Sequence, residues 1–319
     1  MATGATLHRP VLLTELLDAL SVRTNGTYVD ANLGGGGHAE AVLEASGPRG
    51  LLLGIDADGG AIAMSNLRLA RFGERLSTFH GSSAHLARAI TEAGFSEVDG
   101  VYFDLGLSSD QLVDRERGFG IRAGGLLDLR FDTRAGESAA DLIAHASAAD
   151  LERMFRDYGE EPHAAKIARA IVAARASAPI TTAEALAALV EGSVPKRYGP
   201  PSRIHPATRV FQALRIVVND ELTALATALS AAIAALRVGG RIVVLTYHSL
   251  EDRIVKQAFA AAARECICPP RVPVCTCNNR ATLRIITKHP TTASEEEIAA
   301  NPRSRSAKLR AAERLERAA

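Results

Sequence analysis

A chain of 319 residues is longer than a usual single domain, which predicts a core that carries an inserted or appended subdomain. With 47% hydrophobic and 23% charged residues, the composition is close to that of an average globular protein and excludes an intrinsically disordered chain. The net charge of +1 excludes polyanion binding by overall charge, so any nucleic-acid surface must come from local clusters of basic residues.

The start of the chain and its apolar runs predict a cytoplasmic protein without a membrane span. The opening residues, "MATGATLHRPVLLTE", lack a basic segment followed by a continuous apolar stretch. No apolar run reaches the ~18 residues that a membrane-spanning helix needs.

Up to Asp104, buried apolar runs alternate with helical patterns. The predicted strands are, in chain order, "TYVDANL", "GLLLGIDAD", "LSTFHG" and "VDGVYFDLG", and a helical pattern follows each of the first three. This alternation predicts parallel βαβ units. Each strand is a continuous apolar run rather than an alternating one, which is typical of a sheet covered by helices on both faces. We therefore predict an α/β fold with a doubly wound sheet.

The alternation stops after Gly106 and returns much later in the chain. A polar stretch rich in Arg and Gly comes first, and Ala-rich helical patterns without a strand-like run then extend over residues 139–192. The βα pattern resumes with one predicted helix over Val210–Leu236, the strand "RVGGRIVVLTYHS" and a helix over Leu250–Arg264. The tail, "NPRSRSAKLRAAERLERAA", is basic and is predicted to be helical.

These patterns predict two domains, one of which interrupts the other. A helical subdomain over residues 112–207 is inserted into a discontinuous sheet domain that spans residues 1–111 and 208–319. All predicted strands belong to the sheet domain, so the chemistry of the strand ends is expected there.

Polar residues directly follow the predicted strands, at the edge where open α/β sheets bind their ligands. The first strand ends at Asp30 before the glycine-rich loop "LGGGGH", the second ends at Asp56, the fourth at Asp104, and the late strand at His248. A glycine loop allows a ligand to approach the backbone, and the following helix offers free N–H groups. Asp56 follows the loop by about 20 residues, a spacing that suits a ribose diol.

The same pattern leaves the cofactor and several roles open. Gly34, Gly36 and Ala39 also fit the GxGxxG/A pattern of dinucleotide-binding proteins, so the loop alone cannot choose a cofactor. Four of the polar residues could instead have a purely structural role at the start of a helix, namely Asp56, Ser108, Ser109 and His248.

Segments spread along nearly the whole chain, in the same order, resemble the RsmH family, also called MraW. They are "HRPVLLTE", "DANLGGGGH", "GIDADGGAI", "DLGLSSDQLVDRERGFGIRAGGLLDLRFD", "IHPATRVFQALRIVVNDEL", "GGRIVVLTYHSLEDRIVK" and "NPRSRSAKLRAAER". The resemblance implies a Rossmann-like methyltransferase domain interrupted by a helical substrate-recognition domain. It also implies S-adenosylmethionine-dependent methylation of the N4 amine of one cytosine in the decoding region of bacterial 16S ribosomal RNA, in the small ribosomal subunit, and it allows a homodimer.

Position by position, the resemblance implies a set of cofactor contacts. The residues concerned are Gly36, Gly37, His38, Asp56, Ser83, Asp104 and Gln111. Asp56 is expected to bind the ribose. Family members commonly carry an aromatic residue where this chain has Ser83, so stacking on the adenine is either lost here or supplied elsewhere.

The expected chemistry requires a residue that stabilises the reacting amine, and Asp104 is the predicted one. The lone pair of a cytosine N4 amine is delocalised into the ring, so the amine must be held in line and its developing positive charge must meet an acceptor. Asp104 is the predicted acceptor, and His248 is predicted to bind the base. The backbone and hydroxyl groups of "LGLSS", with Ser108 and Ser109, are predicted to shape the base pocket.

Basic residues cluster at both ends of the predicted insertion, and we expect them, with the basic tail, to contact RNA. The candidates are Arg115, Arg117, Phe119, Arg122, Arg130, Lys196, Arg197, Arg203 and Arg209. Acidic residues interleave with the first of these arginines. An alternative is therefore that the arginines brace the two domains by pairing with those acids.

All four cysteines lie in one loop, "CICPPRVPVCTC", unlike the dispersed cysteines of a disulfide-rich secreted domain. Two C-x-C pairs supply enough thiolates for a zinc site, but the usual spacing is C-x2-C. The RsmH family does not require these cysteines either. The sequence therefore favours reduced loop thiols, and we predict no metal ligands.

Three other functions fit part of the sequence. An NAD-dependent oxidoreductase would explain the glycine loop and Asp56, but it leaves the serine-rich end of the fourth strand unexplained. A DNA cytosine-N4 methyltransferase would carry a Ser/Asp-Pro-Pro-Tyr motif where this chain has "DLGLSS". A non-catalytic RNA-binding factor would not need the acids at the strand ends.

Overall fold

The computed structural model describes four stretches of the chain, namely residues 10–121, 125–195, 205–269 and 274–316. The chain forms two compact units. The first combines Met1–Gly106 with Leu222–Ala319, and the second is Leu107–Glu221. The second unit is thus an insertion in the sequence of the first.

Among the described residues, seven strands form one sheet in the first unit. They are β1 (Thr27–Asp30), β2 (Leu51–Asp56), β3 (Leu76–His80), β4 (Val98–Asp104), β5 (Leu236–Thr246), β6 (Leu283–Ile285) and β7 (Lys308–Arg314). Their order across the sheet is β3-β2-β1-β4-β5-β7-β6. Strands β1 to β5 run parallel, and β7 is antiparallel to its neighbours β5 and β6. The order 3-2-1-4-5 is that of Rossmann-like doubly wound sheets, which confirms the predicted α/β fold class.

Helices connect the strands and build the second unit. In chain order, they are α1 (Leu13–Leu20), α2 (Gly37–Ala45), α3 (Gly59–Arg68), α4 (Leu86–Glu92), α5 (Ser109–Val113), α6 (Ala139–His145), α7 (Ala148–Asp157), α8 (Ala164–Arg175), α9 (Ala183–Ser193), α10 (Thr208–Val218), α11 (Glu221–Ala235), α12 (Ser249–Ala262) and α13 (Glu295–Ala300), with 3-10 helices at Ala70–Arg75, Ser83–His85 and Pro302–Ser306. No single described helix is long and apolar enough to cross a membrane, although α10 and α11 taken together as a bent pair would satisfy that test of length and composition.

Each face of the sheet has its own hydrophobic core. Successive side chains of a strand point to opposite faces, so Val29 and Val101 pack with α4, α11 and α12, whereas Tyr28 and Tyr102 pack with α1 and α2. Helices therefore cover both faces, as the continuous apolar strands indicate. Neighbouring residues of one strand therefore pack into different cores, and the side chains of Tyr28 and Tyr102 lie in the same one.

The second unit is helical and has a separate core. Helices α6 to α10 enclose buried side chains such as Leu151, Phe155, Ile167 and Leu214. In the described part of this unit, β-structure is confined to one isolated bridge between Leu126 and Thr182.

The prediction of one continuous helix over Val210–Leu236 is wrong, because the chain forms two helices, α10 and α11. Asp220, between them, has a φ of +48°, which a right-handed helix cannot contain. The side chain of Asn219 stabilises the break: its Nδ2 donates to Leu129 O and its Oδ1 accepts from Phe131 N, both at 2.7 Å. Helix α10 belongs to the second unit, whereas the sequence assigned it to the sheet domain.

The prediction of a helical tail is also wrong. Lys308–Arg314 form strand β7, which lies between β5 and β6. Leu309 and Ala312 are buried on opposite faces of the sheet, so tertiary packing overrides the helix propensity of this Ala- and Leu-containing segment. Arg310 donates to both carboxylate oxygens of Asp252, at 2.6 and 3.2 Å, so part of the basic charge of the tail is used inside the sheet unit.

Candidate active site

Three strands bring an aspartate to the carboxyl edge of the sheet. Asp30 ends β1, Asp56 ends β2 and Asp104 ends β4, and β1 lies between the other two strands. The parallel register sets Asp30 beside Tyr102 and Asp56 beside His80. Parallel strands present their carboxyl ends at one edge, so these acids share the ligand-binding edge of the sheet.

The glycine-rich loop after β1 packs against β2 and α3. Gly34 N donates to Oδ2 of Asp56 at 2.8 Å, and Ser65 Oγ donates to Gly34 O at 2.6 Å. Gly34 and Gly36 have φ values of +50° and +74°, in the left-handed region that favours glycine. A Cβ at Gly36 would lie 3.1 Å from Ser65 Oγ and 3.2 Å from Leu69 Cδ1. Both the backbone conformation and the packing therefore favour glycine at position 36.

Asp56 anchors this loop and does not cap a helix. Its Oδ1 accepts from Asp58 N and its Oδ2 accepts from Gly34 N, both at 2.8 Å. Asp58 caps α3 instead, because its Oδ1 accepts from Gly60 N at 2.9 Å. Burial raises the pKa of Asp56 to about 6, although the two N–H donors act in the opposite direction. Each carboxylate oxygen of Asp56 has a second lone pair, which a ligand hydroxyl can use.

His38, Asp104 and Tyr247 form a hydrogen-bonded network at the end of β4. The Tyr247 hydroxyl donates to Asp104 Oδ1 at 2.7 Å, and His38 Nδ1 lies 3.2 Å from Asp104 Oδ2. His38 Nε2 lies 3.0 Å from Val11 O, which can only accept, so Nε2 carries a proton. Burial lowers the pKa of His38, but the Asp104 carboxylate and the Val11 carbonyl raise it more, and the net pKa is above its usual value. An imidazolium paired with the Asp104 carboxylate is therefore favoured.

Asp30 is a second acid beside this network, and only 1% of its surface is exposed. Its Oδ1 accepts from Asn32 N at 3.0 Å, and its carboxyl group faces the Tyr102 hydroxyl. Burial raises the pKa of Asp30 to about 7. Burial and the Asp30 carboxyl together hold the pKa of Tyr102 well above its usual value. The site thus combines an ion-paired acid with one that titrates near neutral pH.

The two other predicted site residues of the sheet unit lie at helix starts. Ser83 is the first residue of a 3-10 helix capped by Ser82, and it is half-buried. His248 is the N-cap of α12, where Glu251 Oε2 accepts from His248 N at 3.2 Å and from Tyr247 N at 2.8 Å. His248 therefore has the structural role that the sequence left open, and its contact with a base stays a prediction.

Ser108, Ser109 and Gln111 belong to the second unit, at the start of α5. Ser108 Oγ accepts from Gln111 N at 3.1 Å, and Gln111 Oε1 accepts from Ser108 N at 3.0 Å. This reciprocal capping is the structural alternative considered for Ser108, and Ser109 is the first residue of the helix. Contacts of these residues with cofactor or base stay predictions.

The first basic cluster of the second unit is held by contacts inside that unit. Arg117 donates to the carbonyl oxygens of Arg130 and Phe131, and its guanidinium lies over the Phe119 ring. Arg130 donates to both carboxylate oxygens of Asp128, at 2.9 and 2.6 Å. Phe119 is buried, and its ring stacks on Phe131 with 5.4 Å between centroids. These side chains hold together the segment that follows α5.

The remaining RNA-contact candidates differ in exposure. Arg115 and Arg209 are exposed, so their guanidinium groups are available for phosphate. The others lie outside the described residues, namely Arg122, Lys196, Arg197 and Arg203.

One family of known proteins matches nearly the whole chain. The model of the MraW methylase family matches residues 5–315. This chain belongs to the MraW methylase family. Its predicted methyltransferase class and its predicted cofactor, S-adenosylmethionine, are thereby confirmed.

Two relatives are similar to this chain over most of their length. "Ribosomal RNA small subunit methyltransferase H" of Thermomicrobium roseum is 53% identical over 311 residues, which cover 98% of this chain and 94% of the relative. The protein of the same name from Trichlorobacter lovleyi is 52% identical over 308 residues, which cover 97% and 98%. A solved rRNA methylase from Streptococcus thermophilus has a TM-score of 0.43 and 12% identity, with coverage of 98% and 100%, a likeness too low to bear on function.

The residues of the sheet unit of this MraW-family protein fit S-adenosylmethionine. Asp56 has free lone pairs for ribose hydroxyls, at the strand end where such hydroxyls are bound. Asn32 Oδ1, at the start of the glycine loop, is buried and accepts no hydrogen bond within the described part of the chain. A buried acceptor without a partner is costly unless a ligand or water supplies a donor, and the cofactor carries ammonium and hydroxyl donors.

Two residues of this site were missed by the sequence analysis, Tyr102 and Tyr247, and Asp30 was named only as a strand end. In "VYFD", Tyr102 lies two residues before Asp104 and so shares its face of the strand. A tyrosine in a buried strand needs a partner for its hydroxyl, which was the available signal. For Tyr247 the sequence offered no such signal, because its contact with Asp104 depends on the pairing of β4 with β5.

Proposed function

We propose that this MraW-family protein is a cytoplasmic enzyme that methylates the N4 amine of one cytosine in the decoding region of bacterial 16S ribosomal RNA, in the small ribosomal subunit. The names of the two relatives, at 53% and 52% identity, support the RNA substrate. The motif resemblance supports the cytosine N4 target. The observation that carries the chemistry is the Asp104 carboxylate, which Tyr247 and His38 hold at the end of β4.

The chain's own residues would hold the cofactor at the carboxyl edge of the sheet. When bound, S-adenosylmethionine supplies an electrophilic methyl group on a positively charged sulfur. We assign the ribose to Asp56 and the close backbone approach to Gly36 and Gly37. His38 uses both ring nitrogens on Val11 and Asp104, so we assign it to positioning Asp104. Contacts from Ser83 and Gln111 remain part of the proposal on motif resemblance alone.

Asp104 is the proposed catalytic residue. Positive charge develops on N4 as the amine attacks the methyl group, and a fixed carboxylate stabilises that charge. Tyr247 and His38 each engage one oxygen of Asp104, so the carboxylate keeps its direction without reorganisation during the reaction. In this proposal Asp104 acts by charge, and the N4 proton leaves to water.

The target base must leave its stack to reach a site at a sheet edge. Splayed, single-stranded segments are the parts of RNA that proteins usually read in this way. We propose base contacts from Ser108, Ser109 and His248. The proposed RNA contacts come from the exposed Arg115 and Arg209 and from the remaining candidates, namely Arg117, Phe119, Arg130 and Arg203. A homodimer is part of the proposal only through the family resemblance.

The test is transfer of a labelled methyl group from S-adenosylmethionine to small ribosomal subunits isolated from a strain that lacks the enzyme. The modified nucleoside is then identified by mass spectrometry, and N4-methylcytidine is the expected product. Asp104→Asn should bind cofactor less tightly and lose transfer at saturating cofactor. Asp252→Asn is the matched control, because its carboxylate pairs with Arg310 and not with the network.

The outcomes separate the parts of the proposal. A different methylated nucleoside would overturn the N4 assignment, but the assignment as an RNA methyltransferase would stand. No transfer to subunits or to naked 16S RNA would overturn the RNA substrate. Near-normal turnover of Asp104→Asn at saturating cofactor would remove Asp104 from the chemistry.

A further inference from the structure

The described residues between α12 and β6 form no hydrophobic core of their own. Residues 264–282 form neither helix nor strand in their described part, and none of those residues is buried. Ile267 and Val274 are 60% and 70% exposed. Irregular segments longer than about 12–15 residues are uncommon unless function or a ligand holds them. Something other than apolar packing must therefore fix this segment.

Hydrogen bonds close the segment at its base. Thr282 N donates to Ala262 O at 2.8 Å, and Asn279 Nδ2 donates to Arg264 O at 2.6 Å. The chain thus leaves the end of α12 and returns to it before β6 begins. Beyond this base, the two C-x-C pairs lie against each other.

The four thiols are brought together into one cluster. All four Sγ atoms lie within 4.8 Å of one another, and the cysteines are free. Four of the Sγ–Sγ distances are 3.4, 3.9, 3.5 and 3.8 Å. A disulfide would require about 2.05 Å. Four sulfurs placed tetrahedrally about zinc at about 2.3 Å would be about 3.8 Å apart, which is close to these distances.

The backbone around the cluster has an approximate two-fold arrangement. Ile267, the middle residue of the first C-x-C pair, donates its N–H to Cys277 Sγ at 3.3 Å. Thr276, the middle residue of the second pair, donates its N–H to Cys268 Sγ at 3.4 Å. A third N–H, from Cys268, points at Cys266 Sγ at 3.4 Å. Amide donors aimed at sulfur stabilise the anionic thiolate, the form that binds metal.

We propose that Cys266, Cys268, Cys275 and Cys277 form a structural tetrathiolate zinc site that joins residues 264–269 to residues 274–282. The meeting of the two C-x-C pairs, with four of the Sγ–Sγ distances close to those of a zinc site, reverses the preference for reduced loop thiols that the sequence alone favoured. Thiolates select soft or borderline cations over magnesium and calcium. Binding exchanges four thiol protons for one Zn²⁺, and the closed set of four ligands leaves no open position for catalysis. The role is therefore structural.

The experiment measures metal in the full chain, produced with added zinc and purified without chelator. We expect one zinc per chain by mass spectrometry of metals, and X-ray absorption should give about four sulfurs at about 2.3 Å. Cys268→Ser/Cys277→Ser removes one ligand from each pair and should lose the zinc. Thr276→Ala is the matched control: it keeps its backbone N–H and all four thiols, and should retain the zinc.

A second readout reports on the segment itself. Chelation of the wild-type protein should allow trypsin to cut after Arg264 and Arg280, whereas the zinc-loaded protein should resist cleavage there. Zinc well below one per chain with four titratable thiols would overturn the proposal. Stoichiometric iron in place of zinc, disulfides found on anaerobic purification, or retention of zinc by the double variant would overturn it equally.

Discussion

The buried acid at the end of β1 allows a quantitative test through Asp30→Asn. The folded protein raises the pKa of Asp30 from 3.8 to about 7, chiefly by burial. Between these values the unfolded chain has lost the proton while the folded chain keeps it. The folded state therefore binds more protons in this window, and stability is lost as the pH rises from about 4 to about 7.

The magnitude follows from the size of the shift. About three pKa units at 1.36 kcal/mol per unit give about 4 kcal/mol lost by pH 8, of which less than half is already lost at pH 5. Asparagine is neutral and of equal size, its Oδ1 can still accept from Asn32 N, and its amide can face Tyr102. The free energy of unfolding of Asp30→Asn, relative to that of the wild type, should therefore rise by about 2–3 kcal/mol between pH 5 and pH 8.

Urea unfolding followed by far-ultraviolet circular dichroism, at several pH values from 5 to 8, measures this difference, since the chain contains no tryptophan. Asp56 titrates in the same direction in both proteins, so its effect cancels in the difference. Asp252→Asn is a control without pH dependence in this range: burial raises the pKa of Asp252, but Arg310 and Lys308 lower it more, so this carboxyl is ionised in both the folded and the unfolded chain from pH 5 to pH 8. Parallel pH profiles for wild type and Asp30→Asn would refute the assignment of a buried, proton-holding Asp30.

Two further substitutions test the network and the loop. Tyr247→Phe removes a hydrogen bond to a charged acceptor, worth roughly 1.5–3 kcal/mol, so kcat for methyl transfer should fall about 10- to 100-fold. The control, Tyr28→Phe, removes a hydroxyl outside the network of Asp104 and should keep kcat. Equal kcat values for the two variants would contradict the positioning role of Tyr247. Gly36→Ala should weaken cofactor binding, measured by titration calorimetry, and lower the free energy of unfolding by about 1–2 kcal/mol. The control, Gly192→Ala, lies in open space on α9 and should raise the free energy of unfolding by about 0.5–1 kcal/mol. A change of the same sign in both variants would argue against the strained loop.

The parts of the site that the sequence predicted are those fixed by local order along the chain. A parallel strand buried on both faces is a continuous apolar run, so its end is visible, and Asp56 and Asp104 could be assigned to the sheet edge. The left-handed φ of Gly34 and Gly36 is likewise a local property that only glycine meets easily.

The parts that could not be predicted depend on contacts between distant segments. The break between α10 and α11 rests on Asn219, whose partners lie about ninety residues away, while both helices continue the same apolar pattern. The cysteine cluster needs the two C-x-C pairs to fold onto each other, which spacing alone does not specify. Tyr247 reaches Asp104 only after β5 has paired with β4.

The position of β7 has a consequence for biosynthesis. Strand β5 is buried along Ile242–Leu245, and among the described residues one of its edges pairs with β7, Lys308–Arg314. A growing polypeptide therefore has made the first five strands and the whole insertion while this apolar edge is still open. An unpaired, apolar edge is a template for pairing with other chains. The β5 edge can close only after Lys308–Arg314 have been synthesised, and a product truncated before Lys308 would be prone to aggregate.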